Sequence, residues 1–160
     1  MPEFITAKVL NALCNEAKES ARLRKNHNYH NSFNDPINRM LNAIEPGSYV
    51  QPHKHENPDK REVFLLLKGK LAVVFFDNEG QITEHVVLDK EENFGVEIPP
   101  SVWHTIIALE PGTVVYEIKD GPYSPADDKN FAAWAPKEGD KNCSDYLVSL
   151  IHELRLLPSS

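Results

Sequence analysis

His53-Lys-His55 is the pair of residues most suited to chemistry in this chain. In a strand, residues two apart project from the same face, so both imidazoles point one way. Imidazole nitrogen is the commonest metal-binding group on a protein. Glu62 opens the apolar run Val63 to Leu67, and a strand there that lies alongside the histidines brings its carboxylate to the same point. His104 heads a later apolar run, after Pro99-Pro-Ser-Val-Trp103. Three imidazoles and a carboxylate suit Fe, Mn, Ni, Zn, Co or Cu; Mg and Ca prefer all-oxygen sites. A lone His-x-His is common on exposed edge strands. Here it is followed by an acid, a glycine, and then proline and histidine on a later strand. That order favours one divalent transition metal held by His53, His55, Glu62 and His104, with Asp59 as a rival carboxylate.

The elements that must position these groups follow from pattern. Ile5, Val9, Leu10, Leu13 and Ala17 form one apolar stripe, and Thr6 can cap it, which predicts a helix over 6–19. Arg22 to His30 has no apolar period and is expected to be loop or extended chain. Residues 37–44 are ambiguous. Ile37, Met40, Leu41 and Ile44 fit a helix started by Asp35-Pro36, and pattern alone favours it. As a strand, the same stretch would put Arg39, Leu41 and Ala43 on one face. From Ser48 the signal is β. Residues 71–76 and 82–88 form a hairpin across Asp77-Asn-Glu-Gly80, and Ile98, Thr105 to Leu109 and Val114 to Ile118 supply further strands. Many short strands argue for a barrel or sandwich. Residues 120–142 are rich in Pro, Gly and Asp and read as an ordered loop. Tyr146, Leu147, Leu150, Ile151 and Leu154 then define a closing helix over 145–156, with Ser144 as its cap.

A length of 160 residues fits one domain, 1–160, with a core that needs no cross-link. The net charge of -7 argues against nucleic acid or an anionic membrane as partner. Cys14 and Cys143 make neither a disulfide framework nor a zinc motif, so reduced thiols and a cytoplasmic location are expected.

Gly47, His53, His55, Glu62 and Gly69 resemble the first motif of the cupins, and Pro99 and His104 the second. Five residues separate Gly47 from His53 and six separate Glu62 from Gly69, as in that motif. More narrowly, the chain resembles the WbuC-type cupins through Arg22-Leu-Arg24, Arg39, Pro46-Gly-Ser-Tyr49, Pro52-His-Lys-His55, Trp103-His104, Lys119-Asp-Gly-Pro-Tyr123 and Trp134-Ala-Pro136. The resemblance implies a mainly β fold, a cupin double-stranded β-helix (jelly-roll) barrel over about 37–119 with a helix at either end. It implies a metal on three histidines and a glutamate, a strand at 37–44, and surface-polysaccharide metabolism with a sugar-like substrate. Three departures stand out. Six residues separate His55 from Glu62, a longer gap than usual. Ser101 replaces a glycine and is expected to avoid left-handed geometry. Ala108 stands where asparagine is common.

Alternation from the histidines places Tyr49 and Gln51 inward; from Glu62, Phe64 and Leu66; from His104, Ile106. Val115, Glu117 and Lys119 share one strand face, inward or outward. Arg24 and Arg39, in a basic stretch of an acidic chain, are expected to grip an anionic group, because guanidinium binds carboxylate or phosphate with paired hydrogen bonds. Gln51 and Lys119 complete the expected substrate contacts; Tyr49, Glu117 and His30 are the candidate catalytic groups. His85 and His152 read as surface residues. The expected function is a metal-dependent enzyme that oxygenates or isomerises a small polar or anionic molecule, sugar-like or a keto acid. The alternative is a non-catalytic cupin whose metal holds a ligand or the barrel. A homodimer is the expected assembly.

Overall fold

The computed structural model describes residues 1–156, which form two five-stranded antiparallel sheets with a helix against each. Helix α1 (Ala7–Glu19) is capped by Thr6, whose side chain accepts from the Val9 N–H at 3.3 Å. Ten strands follow: β1 (Arg24–Asn28), β2 (Ile37–Ile44), β3 (His53–Lys54), β4 (Glu62–Lys68), β5 (Leu71–Phe76), β6 (Ile82–Leu88), β7 (Gly95–Ile98), β8 (Trp103–Ala108), β9 (Thr113–Asp120) and β10 (Asn130–Phe131). Helix α2 (Cys143–Leu156) closes the chain. It begins one residue before the expected cap, so Ser144 lies in its first turn. One sheet has the order β1-β2-β9-β4-β7 and the other β10-β3-β8-β5-β6. The two face each other as a cupin jelly-roll barrel.

Strand parity divides the apolar residues into three groups. Ile44, Phe64, Leu66, Leu71, Val73, Ile106 and Val115 fill the barrel between the sheets. Ala72, Val74, Phe76 and Ile107 face the other way, against Leu147 and Leu150 of α2. Leu41, Ala43 and Val114 pack against Leu13, Cys14 and Ala17 of α1. Strand β2 is therefore buried on both faces, and its apolar residues do not alternate. Ile37, Met40, Leu41 and Ile44 mimic helical spacing for that reason alone, which is why the local pattern pointed to a helix.

Two further expectations fail on packing. His85 is 4% exposed rather than a surface residue. It sits opposite Val74 in the β5–β6 register, on the face that α2 covers. Ser101 does adopt a left-handed backbone, with φ 66°. That conformation costs a side-chain-bearing residue about 1–2 kcal/mol. It lets the Ser101 N–H donate to the His55 carbonyl at 3.1 Å, which ties the turn after β7 to the histidine segment.

Candidate metal centre

His53 and His104 are direct cross-strand partners on β3 and β8. Their rings lie 4.5 Å apart between centroids, and His55, just past the end of β3, brings its ring within 5.1 and 5.6 Å of theirs. Glu62 comes from β4 in the facing sheet. Ligating atoms of all four side chains lie within 4.8 Å of one another, and all four residues are buried. Asp59, the rival carboxylate, is exposed.

The hydrogen bonds set the chemistry of this cluster. Nδ1 of His53 lies 2.9 Å from the Gln51 carbonyl, that of His104 2.9 Å from the Val102 carbonyl, and that of His55 2.6 Å from the Asp128 carbonyl. A carbonyl oxygen only accepts, so each Nδ1 carries a proton, and a ring without a second proton presents the Nε2 lone pair. Two of those lone pairs meet the same carboxylate oxygen: Glu62 Oε2 is 2.9 Å from His55 Nε2 and 3.1 Å from His104 Nε2. Lone pair against carboxylate at that range is repulsive unless a cation or an added proton lies between. Adjacent ligands around an octahedral ion with bonds of ~2.1 Å are themselves ~3.0 Å apart. Burial holds the His53 pKa well below its ordinary value, so that ring stays neutral. The donor set fits a transition metal, and the carbonyls fix each ring as metal-binding histidines require.

A cavity of about 660 Å³ opens onto the cluster. His53, Glu62 and His104 lie in its wall, with Val50, Phe64 and Ile106 on the apolar side. Glu117 and Lys119 are inward and buried, as one of the two parities required. Burial, and then the adjacent Glu62 carboxylate, push the Glu117 pKa up to about 8, so Glu117 holds a proton at neutral pH beside the cluster. Lys119 Nζ donates to Asp128 Oδ2 at 2.8 Å, and Lys60 pairs with Oδ1 at 3.3 Å. Burial opposes the Asp128 charge, but these ammonium groups outweigh it and lower the pKa.

Other candidates are placed differently. Strand alternation fails at Tyr49 and Gln51, because regular strand begins only at His53, and it is Val50 that reaches the cavity. The Tyr49 hydroxyl donates to the Pro136 carbonyl at 2.7 Å and its ring packs toward α2. Gln51 Nε2 donates to the Ala132 carbonyl. Arg39 shares the outward face of Leu41 and Ala43, reaching the Tyr29 carbonyl and Asp35, while Asn38, Met40 and Asn42 line the cavity. Arg24 does line it, but its guanidinium is bound to Glu138 at 2.8 Å, to Ser48 and to the Tyr49 carbonyl. His30 lines the mouth, its Nδ1 accepting from the Arg39 N–H at 3.1 Å. Sequence reasoning missed Asn42, Asp128 and Lys129. Parity on β2 marks Asn42 once that stretch is a strand; the other two lie in a loop without period.

These features define a cupin barrel with a buried three-histidine, one-glutamate cluster. The chain belongs to the family described as Domain of unknown function (DUF6016), which matches residues 5–88. No curated protein matches the sequence. Among solved structures, an L-ribose isomerase from Cellulomonas parahominis shares 14% identity over 72% of this chain and 72% of its own, with a TM-score of 0.56. A dTDP sugar isomerase from Desulfovibrio desulfuricans shares 19% over 69% of each chain, TM-score 0.51. The capsular polysaccharide assembling protein CapF from Staphylococcus aureus shares 25% over 61% of this chain, TM-score 0.51, and the present chain spans only 27% of it. No helix among the described residues is long and apolar enough to cross a membrane.

Proposed function

We propose that this protein is a metal-dependent cupin enzyme that isomerises a small, polar, sugar-like molecule. The observation that carries the reading is the clustering of three imidazoles and one carboxylate with ligating atoms within 4.8 Å of one another, at the wall of a cavity large enough for a sugar. A metal bound by His53, His55, Glu62 and His104 would polarise a carbonyl or hydroxyl oxygen of the substrate. Glu117 is the group able to exchange a proton there, since a carboxyl near pH 8 gives and takes protons readily around neutrality. That proton-bearing acid favours isomerisation over oxygenation, which needs no such group. The L-ribose and dTDP sugar isomerases of similar fold, and CapF, lend the sugar-like substrate its support, as does the resemblance to WbuC-type cupins.

The test is metal analysis of protein purified without added metal, alongside His53→Ala, His55→Ala and His104→Ala. Each variant should lose most of the bound metal. Stoichiometric metal at the same site in a His53→Ala/His55→Ala double variant would overturn the proposal. Glu117→Gln should retain metal and lose turnover of the aldose or ketose that the wild type converts.

A further inference from the structure

Lys25 and Lys129 line the cavity without making an ion pair within 4.0 Å, among the described residues. The other cations of the cavity wall are committed: Arg22 and Arg24 to Glu138, Lys119 to Asp128. Lys129 is exposed overall and lines the same wall as His53, Glu62 and His104 of the cluster. It directly follows Asp128, whose carbonyl accepts from His55 Nδ1 at 2.6 Å. A second group nearby lacks its complement. Asn42 is 7% exposed and lines the same cavity; its Nδ2 donates to Glu117 Oε2 at 3.4 Å, while its Oδ1 has no hydrogen-bond partner. Buried acceptors are ordinarily satisfied, so an unpaired one in a cavity wall points to a donor brought by a ligand.

Resting on the functional reading above, we infer that the substrate is an anionic sugar, whose carboxylate or phosphate pairs with Lys129 while a hydroxyl donates to Asn42 Oδ1. The charges agree. Asp128 is shared between Lys60 and Lys119, which leaves Lys129 without an ion-pair partner in the cavity wall of an acidic protein. A carboxylate or phosphate on the sugar supplies the charge-assisted partner that a neutral sugar cannot. A charged group at Lys129 leaves the hydroxylated part of the molecule to reach toward the cluster.

The experiment is calorimetric titration of the metal-loaded protein with glucuronate, with glucose 6-phosphate, and with glucose as the uncharged control. At least one charged sugar should bind, and glucose should bind at least about tenfold more weakly. Preference between the two charged sugars identifies the anion as carboxylate or phosphate. Lys129→Met should weaken the charged sugar by at least about tenfold without loss of metal, and Lys129→Arg should restore it. Wild-type affinity in Lys129→Met, equal affinity for glucose, or failure of both charged sugars to bind would each overturn the inference while leaving the metal site intact. The same titrations on chelated protein separate the two readings, because Lys129-dependent anion binding there stands even if no metal is found in the native protein.

Discussion

Replacing Glu62 by glutamine tests the reading of the cluster most sharply, because it has opposite effects on the metal-bound and metal-free protein. One oxygen, Oε2, faces Nε2 of His55 at 2.9 Å and Nε2 of His104 at 3.1 Å. In all three rings the Nδ1 N–H donates to a backbone carbonyl. At a pH high enough that neither facing ring carries an added proton, a glutamine amide in that place offers two N–H donors to two lone pairs, so the metal-free variant exchanges two repulsive contacts for two hydrogen bonds. Each such bond contributes ~0.5–1.5 kcal/mol net, so metal-free Glu62→Gln should be about 1–3 kcal/mol more stable than metal-free wild type. The metal meanwhile loses a charged ligand. Taking a charged interaction as ~1.5–3 kcal/mol, metal affinity should fall by about 10- to 150-fold or more. Competition against a chromophoric chelator reads the affinity, and urea unfolding in the presence of chelator reads the stability. Undiminished metal affinity, or a metal-free variant less stable than wild type, would refute the lone-pair argument.

Asp128→Asn should destabilise the protein at neutral pH, since it removes the charge shared by Lys60 and Lys119; breaking a buried pair costs about 3–5 kcal/mol. Asp128 has a folded-state pKa below its unfolded value near 3.9, so its contribution is complete above that value and vanishes as pH falls through the lower folded pKa. The stability gap between wild type and variant, followed by denaturation from pH 7 to pH 2.5, should be flat to about pH 5 and close below pH 4. Gly69→Ala should cost about 2–5 kcal/mol in urea unfolding, combining a φ of 81° with a methyl group driven into Thr113, whose Cα it would approach to 2.6 Å. Arg39→Lys should leave affinity for any cavity ligand unchanged within about twofold, because its side chain is on the outer face; a larger loss by calorimetry would contradict the β2 parity.

Legibility in the sequence followed regularity of the backbone. His104 with Ile106, Glu62 with Phe64 and Leu66, and Val115 with Glu117 and Lys119 lie on uninterrupted strands, where alternation alone placed each set on a common face. The same rule failed at Tyr49 and Gln51, where no strand precedes His53. At Ile37 to Ile44 two buried faces erased the alternation, and only the family resemblance restored the strand. His85 was misjudged because a helix distant in sequence covers it. The roles of Asp128 and Lys129 depend on how a loop folds back over the barrel, and loop composition carries no such information. At Arg24 and Arg39 the basic residue type was legible, but the Glu138 carboxylate that Arg24 meets and the outward parity of Arg39 were not.

The three imidazoles are not held alike. His53 and His104 donate to carbonyls two residues back in their own segments, whereas His55 donates to Asp128, 73 positions further along the chain. The next residue after that carbonyl is Lys129. One stretch of loop thus both orients a ring of the cluster and supplies a lysine to the cavity wall. Reciprocity of coupled equilibria then requires that an anion which tightens the metal be tightened by it to the same factor.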